Sequence, residues 1–390
     1  MNARPSLNGS RWSQRTPDEC FDTVDDLRVH LQARRAHAEV RRVPLWALRP
    51  VASDDGVRLS LDGAELAVTP WAAARFSDAV GLPARAVQAL SPGLATAALE
   101  ERRSRVELES PDREVEIVVD RRDGYPPRLR SLVSVAYARV WDADLVEAFL
   151  EPLAARGWRP AASRRPGGHP MSGLFSSDRD LYCFLIHEDR PLRLDGVHPR
   201  PLLRGLILRN SEVGGVALRV QTFWFDGWCT NHMIFGAREV VDLRESHRHG
   251  GDGPLARLEA AWRDWGGFSR LDSPPLAAEA VAASAAQTAL APLRGGRREV
   301  IEEAVTRTRL LAARARAGSV LRVPLLRDAA ARALESYRAP GSAHLSLWEM
   351  ASGLTETAWQ RTGYASERHR VDDAVGRLLE VSHRLGADAR

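Results

Sequence analysis

The residues with the clearest potential for chemistry lie in the segment RGLILRNSEVGGVALRVQTFWFDGWCTN, residues 204–231. If VALRVQTFWFD is a strand, alternate side chains point to opposite faces. One face is then apolar, and the other carries Arg219, Phe223 and Phe225 together with a glutamine. Arginine beside aromatic rings is typical of a groove in which bases stack on the rings while the guanidinium binds phosphate. The alternative is that both rings pack beneath a helix and that Arg219 reaches the edge of that layer.

A polar turn precedes this strand. It contains Asn210, Ser211, Glu212, Gly214 and Gly215. The glycines permit a positive φ, and the asparagine and serine can satisfy neighbouring backbone groups. The carboxylate has three interpretations: an ion pair with Arg204 or Arg209, a metal ligand, or a solvated side chain. We favour a structural ion pair or a solvated carboxylate over a catalytic group.

A metal-dependent hydrolase or nuclease is the alternative chemistry. Glu212 with His232, His247 and His249 would supply oxygen and nitrogen ligands for a divalent ion. However, the composition of DLRESHRHGGDG favours a polar loop, in which the two histidines of the His-x-His pair need not face the same side. No G-x-S-x-G, G-x-G-x-x-G or H-E-x-x-H motif occurs. The sequence therefore predicts no catalytic residue and no cofactor.

The charged residues narrow the possible partners. The chain has 390 residues with 55 basic and 51 acidic side chains, a net charge of +4, and every basic side chain other than histidine is an arginine. Lysine-dependent chemistry, such as a P-loop clamp or a Schiff base, is thereby excluded. Phosphate recognition falls to arginine, whose planar fork suits bidentate contacts. The predicted contacts are Arg121, Arg122, Tyr125, Arg128 and Arg130 around a hairpin tip, Arg164 and Arg165 in a Pro/Gly loop, and Arg204, Arg209, Arg219, Phe223 and Phe225.

The segment GLILRNSEVGGVALRVQTFWFDGWCTNHMI resembles the signature of the phage- and plasmid-like family known as domain of unknown function 932. The matching elements are the Asn-Ser-Glu-x-Gly turn and the Cys-x-Asn element, here Cys229 and Asn231. GLPARAVQALSPGLATAALEERR, SVAYARVWDADLVEAFL and LWEMASGLTETAW are also similar, so that the resemblance covers residues 65–245 and, more weakly, 345–385. His232 stands where the family usually has glycine. The resemblance implies a role in the nucleic-acid metabolism of mobile elements.

An α+β fold is predicted to position these residues. VRLSLDGAELAVT indicates a hairpin around Asp62 and Gly63, Thr69 is a helix N-cap, and Asp142 is the predicted N-cap of a later helix. Strands with interspersed helices give way to helices only after residue 271. We expect a twisted, mainly antiparallel sheet followed by a helical C-terminal region. The expected parts are an N-terminal tail and helix (1–41), an α+β core (42–271) and the helical region (272–390).

Three scattered cysteines, no C-x-x-C pair, no leader-like N-terminus and no run of 18 apolar residues predict a soluble, cytoplasmic protein without a membrane partner. We therefore expect a non-enzymatic protein that binds nucleic acid, preferentially single-stranded DNA, in recombination or replication. Because the basic clusters are short and dispersed, self-association into a homo-oligomer is also predicted. Besides the hydrolase, a structural or regulatory protein acting through its C-terminal helices is the remaining alternative.

Overall fold

A computed structural model describes residues 18–54, 56–161, 173–193, 201–226, 231–233, 241–271, 276–338, 341–361 and 364–388. The fold is α+β, with strands and helices interspersed up to residue 271 and a predominantly helical C-terminal region after it. The predicted fold class is confirmed.

The first sheet has six strands in the order β2-β6-β7-β5-β4-β3. These strands are β2 (Ala38–Pro44), β3 (Arg49–Ser53), β4 (Gly56–Leu61), β5 (Ala64–Val68), β6 (Glu114–Asp120) and β7 (Arg128–Ser134). The β4–β5 hairpin turns at Asp62 and Gly63, both with positive φ, as predicted. Among the described pairs in this sheet, β5–β7 is parallel and the others are antiparallel.

Three helices cover one face of this sheet. They are α2 (Pro70–Ala79), α3 (Ala84–Gln88) and α4 (Pro92–Glu109). Thr69 Oγ1 accepts a hydrogen bond from the backbone N–H of Ala72 at 3.1 Å, which is the predicted N-cap. Phe76 and Leu99 from the helices meet Ile117 from the sheet in a shared apolar core.

The second sheet has eight strands, with β1-β9-β10-β11-β12-β13 as its main path, β8 on β10 and β14 on β12. Its strands are β1 (Glu19–Phe21), β8 (Arg159–Pro160), β9 (Leu174–Ser176), β10 (Leu181–Leu192), β11 (Leu202–Asn210), β12 (Leu218–Asp226), β13 (Asn231–Met233) and β14 (Asp242–Glu245). All of its described pairs are antiparallel.

Helices lie on both faces of the second sheet. One face, with Leu206 and Leu218, packs on α1 (Val24–Ala36) and on the helical segment 142–154, which joins α5 (Asp142–Leu145) to α6 (Glu151–Ala154) through a π-turn. Two more helices, α7 (Pro254–Trp265) and α8 (Gly267–Leu271), complete that layer. The opposite face contacts the C-terminal helices, through Trp359 and Ala365.

The C-terminal region consists of α9 (Leu276–Gln287), α10 (Arg297–Arg314), α11 (Val323–Ser336), α12 (Leu347–Arg361) and α13 (Ala365–Asp388) around their own apolar core. The prediction of helices only was incomplete, because β15 (Ala289–Pro292) and β16 (His344–Ser346) form a two-stranded sheet here.

Two details of the predicted organisation differ from the structure. The predicted N-terminal part, 1–41, supplies β1 and α1 to the second sheet and the start of β2 to the first, and the predicted core, 42–271, contains strands of both sheets. Asp142 is not an N-cap, since Trp141 occupies that position and the carboxylate of Asp142 bonds to Arg34 instead.

Candidate functional site

The polar face of β12 divides into an apolar end and a charged end. Phe223 and Phe225 lie at the apolar end, each with 1% of its surface exposed, in a cluster with Phe184, Trp359 and Ala365. The rings of Phe223 and Phe184 pack edge to face, with centroids 6.1 Å apart. The predicted alternation is correct, but the prediction that these two rings stack on bases is wrong, because α12 and α13 cover them.

Arg219 lies at the charged end of this face. It is directly opposite Arg209 of β11 on one side and Arg244 of β14 on the other. Like charges directly opposite one another destabilise a sheet. The row of three arginines therefore requires compensating anions, from the protein or from a ligand.

The row opens into a cleft of about 400 Å³ between the sheet and α13. Its basic lining residues are Arg209, Arg219, Arg244, Arg370 and Arg377. Asp242, Asp373 and Glu380 are the acidic ones, and Gln221 and His369 complete the lining. Five arginines against three carboxylates leave an excess of two positive charges. The cleft has the size of a small-ligand site and the charge to hold an anion.

The carboxylates neutralise the cleft unevenly. Asp242 binds Arg219 with both oxygens, and the Nη2–Oδ2 distance is 2.6 Å. Burial lowers the pKa of Arg209, and the nearby charge of Arg219 lowers it further. The Nε–H groups of Arg209 and Arg377 are buried, and neither has a hydrogen-bond partner among the described residues. Phosphate oxygens are suited to these donors, because arginine binds phosphate with short, charge-assisted hydrogen bonds.

Sequence reasoning identified Arg209 and Arg219 but missed Arg244, Arg370 and Arg377. The signal for Arg244 was the strand DLRE, which was interpreted as a polar loop with histidines and is β14 in the structure. The two helical arginines belong to α13, and only the docking of α13 brings them to the sheet.

Glu212 is the centre of a separate, fully buried ion network. Its Oε2 accepts from Arg130 Nη2 at 2.6 Å, and its Oε1 accepts from the backbone N–H of Asp142 at 2.9 Å. Arg34 of α1 lies 3.4 Å from Glu212 and binds Asp142 at 2.5 Å. The predicted structural ion pair exists, but its cations are Arg130 and Arg34. Neither Arg204 nor Arg209, the partners named from the sequence, provides it.

The network joins both sheets and α1. Burial and the charge of Glu212 together raise the pKa of Asp142 to about 7, against the opposing effect of Arg34. Burial also disfavours the charge on Glu212, but Arg34 and Arg130 outweigh it and lower the pKa of that carboxyl. Despite burial, Glu212 and Asp120 raise the pKa of Arg130. These buried charges are paired with one another, so we interpret the cluster as structural, although the Nε–H groups of Arg34 and Arg130 have no hydrogen-bond partner among the described residues.

The other turn residues build the same junction. Asn210 Nδ2 donates to Val140 O at 2.8 Å and to Asp142 Oδ1 at 2.7 Å, and Ser211 Oγ accepts from Gly215 N at 2.7 Å. Gly214 has a φ of +83°. A Cβ on Gly215 would lie 2.9 Å from the Cγ of Arg179. Each motif residue of the turn therefore has a packing or hydrogen-bonding role.

The predicted hairpin-tip contacts are only partly accessible. Arg121, Arg122 and Arg128 are exposed, and Tyr125 has 74% of its surface exposed. Arg121 pairs with Glu39, and Arg128 lies 3.6 Å from Asp120. Arg130, in contrast, is buried in the Glu212 network, so its predicted contact with phosphate is wrong.

Arg204 is also buried, and it donates to the carbonyls of Leu271 at 2.9 Å and Asp189 at 3.1 Å. Its predicted contact with phosphate is therefore wrong. Arg164, Arg165 and Cys229 lie outside the described residues. For Asn231 and His232 the backbone alone is described, as part of β13.

Among the residues that the structure describes, the histidines and Glu212 do not form a metal centre. His247 is buried, stacks on Tyr137 with centroids 4.8 Å apart, and lies with Nδ1 3.1 Å from Ala138 O. His249 is exposed. Both oxygens of Glu212 already accept hydrogen bonds. Within the described part of the chain, no group of three or more His, Cys, Asp or Glu side chains could hold a metal ion.

Comparison with known proteins gives no matching family model, no matching curated protein and no matching solved structure. The resemblance of the Asn-Ser-Glu-x-Gly turn to the phage- and plasmid-like family thus stays a prediction. None of the described helices is long and apolar enough to span a membrane.

Proposed function

We propose that the protein binds nucleic acid without catalysing a covalent step, and that it contacts the phosphate backbone in the arginine cleft. The observation that carries the proposal is the row Arg209, Arg219 and Arg244 across three neighbouring strands, faced by two further arginines of α13. Such a row costs folding free energy through repulsion, and binding of a polyanion would compensate for it.

The proposed mode of recognition differs from that expected from the sequence. Since Phe223 and Phe225 are buried, they contribute no stacking. The cleft contacts phosphate oxygens, which carry no direct information about base sequence. Binding is therefore expected to be independent of sequence, strongly dependent on salt, and governed by the five cleft arginines.

A second contact lies at the tip of the β6–β7 hairpin. Tyr125 presents an exposed ring there, next to the exposed Arg122. A ring and a cation on a protruding loop can stack on an unpaired base and bind its phosphate. The tip is thus the part of the proposal that would favour single-stranded over double-stranded nucleic acid.

The test is fluorescence anisotropy of a labelled 20-nucleotide single strand, its duplex and a labelled mononucleotide, each at several salt concentrations. We expect both polymers to bind with affinity that falls linearly with the logarithm of salt, with a slope of roughly −0.7 or −0.9 per phosphate contacted. Binding of the mononucleotide alone would assign the cleft to a small phosphate ligand. Absence of salt-dependent binding to all three would refute the proposal.

Two parts of the proposal rest on the sequence. The resemblance to phage- and plasmid-like proteins supports a role in recombination or replication, and the dispersed basic sites support self-association along a strand. Light scattering with and without a long oligonucleotide tests the second part: a defined oligomer is expected, and a mass that stays monomeric at saturation would contradict it.

A further inference from the structure

Asp373 of α13 occupies the middle of the arginine cleft. Its Oδ1 lies 3.9 Å from Arg219 Nη1 and 3.4 Å from Gln221 Nε2, and its Oδ2 lies 3.6 Å from Arg377 Nη1. Its charge also acts on Arg209. One carboxylate is thus shared among cations from two strands and one helix.

These contacts are long compared with those that Asp242 makes in the same cleft. Asp242 forms a bidentate ion pair with Arg219, in which Asp242 Oδ2 lies 2.6 Å from Arg219 Nη2. Charge-assisted hydrogen bonds between guanidinium and carboxylate are usually about 2.7 to 2.9 Å long. Asp242 therefore positions Arg219, whereas Asp373 lies among arginines without binding any of them tightly.

The surrounding donors are not satisfied by this carboxylate. Within the part of the chain that the structure describes, the buried Nε–H groups of Arg209 and Arg377 have no hydrogen-bond partner. A phosphate group brings more acceptor oxygens than a carboxylate. At the position of Asp373 it could therefore bond to several of these donors at once.

We propose that Asp373 is an internal competitor that occupies the phosphate position of the empty cleft and sets its affinity. This inference rests on the proposed function, because it assumes that the cleft binds phosphate. Before a phosphate can bind, the carboxylate must leave its position among the three arginines. The apparent affinity is then lower than the intrinsic one by the fraction of molecules in which the position is open.

The experiment is isothermal titration of inorganic phosphate, and separately of a 20-nucleotide single strand, into the full chain and three variants. Asp373→Asn removes the charge with little change in shape. Asp373→Glu retains the negative charge on a side chain that is one methylene longer. Glu367→Gln is the matched control, because it removes one negative charge from the same helix at an exposed position that does not line the cleft.

We expect Asp373→Asn to tighten phosphate binding by roughly five- to tenfold. Asp373→Glu is expected to leave the affinity near that of the unaltered chain. Glu367→Gln is expected to change it by less than about twofold, because that charge is exposed to solvent and outside the cleft lining. Thermal melting checks that all variants are folded. If Asp373→Asn is unfolded, Asp373→Ala, which also removes the charge, is measured in its place, and the same gain in affinity is required of it.

Equal gains in Asp373→Asn and Glu367→Gln would overturn the inference, since the change in net charge would then explain both. No gain in Asp373→Asn, or no phosphate binding by any variant, would also overturn it. If phosphate binds more tightly to Asp373→Asn but no protein binds the oligonucleotide, the inference stands and the proposed function fails. If the oligonucleotide binds equally to all, the proposed function stands and the inference fails.

Discussion

Arg209 and Arg219 lie directly opposite each other on neighbouring antiparallel strands, and Arg244 continues the row on the next strand. Repulsion between such close charges opposes folding, and Asp242 compensates for only one of them in a tight pair. A sheet that needed only a stable surface would be better served by alternating charges. The row is therefore the feature on which the proposed anion site depends.

Replacement of Arg244 by alanine tests the row without disturbing the core. Arg244 is exposed at the rim of the cleft. We expect Arg244→Ala to weaken oligonucleotide binding and to reduce the magnitude of the salt slope by about one phosphate contact. The melting temperature should stay within a degree or two of the original, or rise as repulsion is relieved. An unchanged salt slope would mean that Arg244 does not contact a phosphate.

Replacement of Phe223 by alanine tests the corrected role of the aromatic residues. Because the ring is buried between the sheet and the C-terminal helices, Phe223→Ala is expected to lower the unfolding free energy by about 3 to 5 kcal/mol. Chemical denaturation measures this loss. The folded fraction should bind oligonucleotide with unaltered affinity. If Phe223→Ala instead kept its full unfolding free energy but bound oligonucleotide more weakly, the base-stacking groove predicted from the sequence would be supported.

Tyr125 provides the opposite case, since its ring is exposed. Tyr125→Ala should leave stability unchanged and weaken binding to a single strand by roughly 1 kcal/mol or more, the usual contribution of one stacked base. Tyr125→Phe is the control, because it keeps the ring. Equal losses for single-stranded and duplex DNA, or equal losses in both variants, would argue against stacking at the hairpin tip.

Glu212 is expected to act on stability alone. Its removal leaves Arg130 and Arg34 buried with less compensation, so Glu212→Ala should cost about 3 to 5 kcal/mol of unfolding free energy. Glu101→Ala, at an exposed pair on α4, is the control and should cost less than about 1 kcal/mol. A fully stable Glu212→Ala protein that loses a metal-dependent nuclease activity would support the hydrolase alternative.

The same network predicts a pH dependence of stability. The pKa of Asp142 is raised by burial and by Glu212, from 3.8 to about 7, so the folded state holds this proton more tightly than the unfolded state. The resulting stabilisation is complete below pH 3.8 and is lost as the pH rises to about 7. As the pH rises across this range, the unfolding free energy of Asp142→Asn should therefore increase relative to that of the unaltered chain.

The shift is limited to about 1.4 kcal/mol per pH unit for one proton. Glu212 gives stability the opposite pH dependence. Because its pKa is lowered in the folded state, the stability that it contributes is lost as the pH falls into the strongly acidic range. A difference that stays constant between pH 4 and 7 would contradict the assignment of the buried proton to Asp142.

Local patterns of the sequence predicted much of the fold. Alternation assigned the correct faces of β12, the Asp62-Gly63 turn set the β4–β5 hairpin, and Thr69 began α2. These features depend on neighbours along the chain. Alternation distinguishes two faces of a strand, but it does not reveal whether a distant helix covers the polar one, and α12 and α13 follow β12 by more than 100 residues.

The candidate site was only half predictable for the same reason. Arg219 and Arg377 meet because α13 docks on the sheet, and no spacing in the sequence encodes that contact. Asp142 shows a related limit. Its residue type and position are those expected of an N-cap, but its carboxylate binds the buried guanidinium of Arg34 instead. Long-range electrostatics overrides a local preference of about 1 kcal/mol.

The most direct test of the cleft compares two double variants that lose the same charge. Arg244→Ala with Arg370→Ala removes two exposed arginines of the cleft, and Arg298→Ala with Arg314→Ala removes two exposed arginines of α10, which does not line it. The dissociation constant for the 20-nucleotide strand is measured by anisotropy at one fixed salt concentration. We predict a loss of at least about tenfold for the cleft variant, as expected for two phosphate contacts, and less than about twofold for the other. Equal losses in the two variants, or no loss in either, would contradict the assignment of the cleft as the nucleic-acid site.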